Sequence, residues 1–168
     1  MSLTDDLLEQ AEHLAKRELR RPRQASLRRA VSVAYYAVFH RLAGEGAALI
    51  MANWPRGLRQ QIQRAFVHGE MKTVCKEFAG KDGPNRITKR LLAVPLEPEL
   101  VAVATAFVVL REARHAADYD LGSPMNRLDV NQKIALAKKA FRDWEVVSNT
   151  ANARVFLAAL LLQNRWNK

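Results

Sequence analysis

A single cysteine in 168 residues, Cys75, leaves no partner for an intramolecular disulfide and no thiolate set for a cysteine-rich zinc site. It is expected as a small core side chain rather than as a reactive thiol. The four histidines are scattered, with neither HExxH nor HxxxH spacing, so neither a metal centre nor any other cofactor is expected. A glycine-rich phosphate loop and a GxSxG elbow are both missing. Glycine and proline are few, 7 and 6, and there is no low-complexity tract, internal repeat or linker to suggest disorder. Strand-like alternation is absent as well. The longest apolar run, Val155 to Leu162, is far too short to cross a bilayer. The opening MSLTDDLLEQ carries acids where a signal peptide needs a basic segment, so a cytoplasmic protein with no membrane partner is expected.

Acidic residues are also in short supply. There are 17 against 27 lysines and arginines, a formal net charge of +10. Such an excess favours a polyanionic partner, most simply nucleic acid. The length suits one domain spanning residues 1–168.

What is present is helical periodicity. Leu3, Leu7, Leu8, Ala11, Leu14, Ala15 and Leu19 form the stripe of a first helix, with Ser2 or Thr4 as N-cap and Arg21-Pro22 as its stop. A long helix is predicted from about Gln24 to Ile50, where Gly44 and Gly46 either weaken its end or permit close packing. A third runs from Trp54-Pro55 to about Phe78, with a break near His68-Gly69. Residues 80–99 hold three prolines and two glycines and read as the longest irregular connection, with one helical turn near Leu91 at most. Glu97 to about Asp120 forms the next helix, and Asp129 caps another that reaches about Ser148. The segment from Asn149 to Trp166 either continues it or packs separately. The expected fold class is all-α, an up-and-down bundle of about five helices.

Three segments carry the polar chemistry. In REARHAADYD, residues 111–120, an angular step of about 100° per residue continues the apolar stripe of Val103, Ala106, Phe107 and Leu110 into Arg114, Ala117 and Asp118. Arg111 lies on the flank beside Asp118, with His115 and Tyr119 further round. Charges on a core-facing stripe must be paired or line a cleft. Arg114 and Asp118 are one turn apart, so either an ordinary ion pair at a helix end or a site follows. In SVAYYAVFHR, residues 32–41, Tyr35, Tyr36, Phe39 and His40 spread over two helix faces, and core packing accounts for at least one tyrosine. In AFVHGEMKTVCKEF, residues 65–78, His68 precedes a glycine. Beside these, Arg20, Arg21, Arg23, Arg28 and Arg29 crowd the turn between the first two helices. They read either as a solvated helix end or as a phosphate-contacting surface for RNA.

AYYAVFH, FVHGEMKTVCKEF and ARHAADYDL, taken in order, resemble segments of the HEPN superfamily (higher eukaryotes and prokaryotes nucleotide-binding), in its small stand-alone bacterial and archaeal branch. The matching positions are Ala34 to His40, then His68-Gly69 with Phe78, then Arg114, Ala117, Asp118 and Tyr119. The resemblance spans roughly residues 26–160. It implies a four- to five-helix bundle that forms a homodimer. It further implies a metal-independent endoribonuclease of toxin or defence type, paired with an antitoxin such as a small nucleotidyltransferase. Arg114, Asp118 and Tyr119, with His115 and Arg111, would form the catalytic group, and Tyr35, Tyr36, His40 and His68 would line its cleft. Active members carry an arginine followed by a histidine after four to six residues. Here three residues separate Arg111 from His115. A non-catalytic HEPN module that binds RNA, a nucleotide or a partner protein is therefore the second expectation.

Overall fold

The computed structural model describes residues 2–166, apart from the Arg56 side chain. The described residues contain helices and no strand, which makes the class all-α. Among the described residues there are eight helices rather than about five: α1 (Leu3–Lys16), α2 (Gln24–Ile50), α3 (Arg56–Arg64), α4 (His68–Ala79), α5 (Arg86–Leu91), α6 (Pro98–Tyr119), α7 (Arg127–Val147) and α8 (Ala151–Trp166). None is long and apolar enough to cross a membrane.

The extra helices come from local hydrogen bonding that periodicity does not register. Residues 80–99 are not wholly irregular, because the Asn85 side chain accepts the amides of Ile87 and Thr88 and starts α5. The predicted break near His68-Gly69 falls just ahead of that pair, so His68 opens α4. Thr150 Oγ1 accepts the Ala153 amide, which separates α8 from α7. Asp129 is not the cap of α7. Asn126 takes that part, its Oδ1 accepting the Asp129 amide at 2.9 Å. At the amino terminus, Ser2 and Asp5 form a reciprocal capping box, so Ser2 rather than Thr4 is the N-cap.

The helices group into two compact units. The first comprises residues 2–40 and 106–142, and so takes in α1, most of α2, the carboxyl end of α6 and most of α7. Its core mixes large side chains (Tyr35, Phe107, Leu110) with many alanines, among them Ala11, Ala30, Ala34, Ala117 and Ala137. Small residues at these positions allow helix axes to approach at the lower end of the usual 8–10 Å spacing. The first helix stops at Lys16, short of Arg21-Pro22, and Leu19 is 89% exposed instead of extending the stripe. The reason is Glu18. Its carboxylate turns back to accept from Ser26 Oγ at 2.9 Å and from the Arg23 amide at 3.3 Å. Arg127 fastens the same turn by donating to the carbonyls of Glu18 and Leu19. The link of residues 17–23 is thus a fixed turn, and it leaves Arg20, Arg21 and Arg23 exposed.

The second unit comprises residues 41–105 and 143–166. Phe156 of α8 lies edge-on to Phe78 of α4, with ring centroids 4.9 Å apart, and tilts against Trp144 at 6.3 Å. Gly46 allows the close packing anticipated for it. A Cβ there would lie 2.5 Å from the ring of Phe66, which is itself buried. Cys75 is fully buried in this unit, and burial pushes its thiol pKa up, which disfavours the nucleophilic thiolate. Asn152 clamps the connection before α6. Its amide exchanges two 2.8 Å hydrogen bonds with the backbone of Ala93 and donates to Glu97 at 2.9 Å.

Candidate functional site

Two helices of the first unit present polar residues at intervals of one turn. On α2 these are Ser32, Tyr36 and His40, and on α6 they are Arg114 and Asp118. The i, i+4 spacing stacks each set along one helix face. The two faces meet rung by rung. Ser32 Oγ donates to Asp118 Oδ1 at 2.6 Å, and Arg114 Nη2 donates to the Tyr36 hydroxyl at 3.1 Å. Within α6, Arg114 Nε sits 2.6 Å from Asp118 Oδ2. Residue numbers rise on α2 as they fall on α6, so the helices run antiparallel here.

The cluster is partly exposed. The Arg114 and Asp118 side chains retain 24% and 29% of their exposure, while Ser32 is buried. That position explains how a charged pair continues an apolar stripe. Ala117, between them, faces the core, and the charges leave it at an angle that keeps one side solvated. An ion pair so placed escapes the full desolvation cost of burial yet is screened less than a surface pair. The guanidinium carbon lies 5.5 Å from the centroid of the Tyr36 ring, which adds a cation–π contact. Arginine is thereby held in one orientation by a carboxylate, a phenol and a ring face.

His40 also stacks on Tyr36, with centroids 6.1 Å apart, and is edge-on to Phe39 at 5.2 Å. Burial lowers its pKa, which favours the neutral imidazole. The sign of the linked stability effect follows. Below the ordinary histidine value, the unfolded chain takes up a proton that the folded chain resists. Stability is therefore unaffected above about pH 7 and falls as pH drops through the unfolded value toward the folded one. His40→Gln is expected to flatten that fall. Urea midpoints of both proteins at pH 7.5 and 5.5 would check it, and an equal decline in the two would refute it.

The other anticipated residues divide clearly. Tyr35 is not cleft-lining. It is fully buried, with its ring 5.6 Å from Phe107, and is the tyrosine that core packing claims. His115 and Tyr119 are exposed and contact each other, with centroids 4.9 Å apart, rather than joining Arg114 and Asp118. Arg111 is half-buried, on the same helix. His68 belongs to the second unit, in the first turn of α4. Arg20, Arg21, Arg23 and Arg29 are exposed and positively charged.

Arg28 is different from its basic neighbours. Its Nη1 donates to the carbonyls of Ala117 and Asp120 at 2.9 Å each and of Ala116 at 3.4 Å, and its Nη2 donates to that of Ser123 at 2.7 Å. Ala116 and Ala117 lie in the last turn of α6 and Asp120 and Ser123 in the loop after it, so the guanidinium sits at the carboxyl end of the helix, where its dipole favours a cation. Arg28 is thus spent as a helix cap and is not available to a phosphate. It fixes the turn that carries Asp118. Ser32 went unnoticed in the sequence although its signal was there, one turn before Tyr36 on the same face. Among the described residues, no three of histidine, cysteine, aspartate and glutamate gather in a way that would hold a metal ion. Chemically, the arrangement offers an oriented guanidinium, a hydroxyl and a neutral imidazole along one edge. No family model matches the chain, and neither a curated protein nor a solved structure matches it.

Proposed function

We propose that this is a HEPN-type protein that acts on RNA as a metal-independent endoribonuclease of toxin or defence type. The observation that carries the reading is the capture of Arg114 by Asp118 and Tyr36 at a half-exposed position. The three motif segments in order and the net charge of +10 support it. In this reading a second copy of the chain completes the cleft, and a small nucleotidyltransferase is the kind of antitoxin that would restrain it. Arg114 stabilises charge developing on the scissile phosphate. On α6, His115 contacts Tyr119 and does not join the Arg114 cluster. His40, neutral and one residue face from Tyr36, is the candidate base for the attacking 2′-hydroxyl. The exposed Arg20, Arg21 and Arg23 hold the RNA backbone, helped by a turn that Glu18 and Arg127 keep in shape.

Cleavage of a mixed RNA substrate in EDTA is expected for the wild-type protein and is expected to drop at least about a hundredfold in Arg114→Ala. Intact RNA after prolonged incubation with folded wild-type protein would defeat the nuclease reading.

A second reading is a non-catalytic module that binds RNA, and a specific observation favours it. Nε and Nη2 of Arg114 are already engaged, and no histidine stands on α6 in the spacing of active members. It predicts binding that weakens steeply with salt and weakens further in an Arg20→Ala, Arg21→Ala, Arg23→Ala triple variant, with no cleavage in either protein.

A further inference from the structure

A cavity of about 330 Å³ opens in the first unit between α2, the carboxyl half of α6, the loop of residues 120–126 and the start of α7. It is not the cluster described above. Ala113 and Ala116 line it, and at 100° per residue they lie about 100–160° round α6 from Arg114 and Asp118. Its floor is apolar, formed by Val31, Met125 and Val130. Its rim is not. Asp120 and Lys133 both border the cavity, and neither side chain makes a hydrogen bond or ion pair among the described residues.

The free ammonium of Lys133 has a physical cause. Asp129 stands one turn before it on α7, the spacing at which an acid and a lysine normally pair. Asp129 Oδ2 instead accepts from the Asn126 side chain at 2.6 Å as part of the cap of α7, and no ion pair to Lys133 forms. Asp120 is left free in a similar way. Its backbone carbonyl is taken by Arg28, but its carboxylate pairs with no cation among the described residues. A pocket with a small apolar floor, an unpartnered carboxylate and an unpartnered ammonium at its edge, with Asp129 held in the cap of α7, matches a ligand with an apolar body, an ammonium and a carboxylate.

We propose that this cavity binds a small zwitterion with an apolar body, of the amino-acid class. Its ammonium faces Asp120, its carboxylate faces Lys133, and its side chain covers Val31, Met125 and Val130. Because the wall includes Asp120 and Ser123, whose carbonyls hold Arg28, the bound ligand also stiffens the turn at the end of α6. The proposal is independent of any action on RNA.

The test is a two-dimensional amide NMR titration of the full chain with three probes: L-phenylalanine, phenethylamine (which lacks the carboxylate) and 3-phenylpropanoate (which lacks the amine). L-Phenylalanine is expected to shift resonances of residues 113–133 and saturate below about 20 mM, an affinity typical of so few contacts. Each one-charge probe is expected to bind roughly fivefold more weakly or worse. Asp120→Asn and Lys133→Met, both changes at the rim, are expected to weaken L-phenylalanine to a similar extent while leaving the circular dichroism spectrum unchanged. Equal affinity for all three probes, no saturable shift, or equal affinity in both folded variants would each overturn the proposal.

Discussion

Arg28→Ala is expected to destabilise the protein by about 2–4 kcal/mol, as large a loss as any single polar substitution here should produce. The guanidinium satisfies four carbonyls across sequence separations of 88 to 95 residues. Alanine would leave the end of α6 without its cap and would untie the loop of residues 120–126 from α2. Arg28→Lys should recover less than half of the loss. An ammonium keeps the favourable charge at the helix end but cannot span four oxygens with two nitrogens. Urea unfolding gives the total, and amide hydrogen exchange locates it. Protection should collapse first in residues 116–124. An Arg28→Ala protein within about 0.5 kcal/mol of wild type, with unchanged exchange there, would show that the cap is not needed.

Phe107→Ala is expected to cost about 3–5 kcal/mol, the usual range for truncating a fully buried phenylalanine. Phe107 is wholly buried, and its ring centroid is 5.6 Å from that of Tyr35. Tyr35 in turn lies 5.5 Å from Tyr36, which receives the hydrogen bond of Arg114. The cavity left by alanine therefore removes the backing of the aromatic group on which the Arg114 cluster rests. Phe107→Leu fills much of that space and should cost markedly less. Urea midpoints together with the tyrosine signal in near-ultraviolet circular dichroism would separate the two variants. A midpoint for Phe107→Ala equal to that of Phe107→Leu would count against this packing account.

The candidate site was legible only in part. Arg114 and Asp118 could be found because two charges continued an apolar stripe at helical spacing, a conflict that local propensity does not resolve. Tyr36 and His40 were visible as aromatic and imidazole groups on α2, but nothing in the sequence separated Tyr36 from Tyr35. Their burial differs because adjacent residues on a helix point about 100° apart, and only packing against Phe107 decides which faces inward. Ser32 was hidden by being ordinary. A serine in a helix is usually solvated, and it gained a part only when Asp118 came opposite. Arg28 was misread for the converse reason. Five arginines in one stretch look alike, and only the position of the α6 carbonyls singled one out.

By itself the sequence determined the all-α class, the course of α2 and α6, the burial of Cys75 and the excess of positive charge. Each follows from a periodicity, a residue's size or a count, and none needs a distant partner. The tertiary structure decided the rest. It stopped α1 before Leu19 through Glu18 and Ser26, took Arg28 out of the basic surface, and sent Tyr35 inward. It also set Ser32 and Tyr36 against Asp118 and Arg114. Those outcomes turn on hydrogen bonds between residues about 80 to 110 apart in the chain, on the packing of Tyr35 against Phe107, or on capping geometry within a turn. Neither leaves a trace in hydrophobic periodicity.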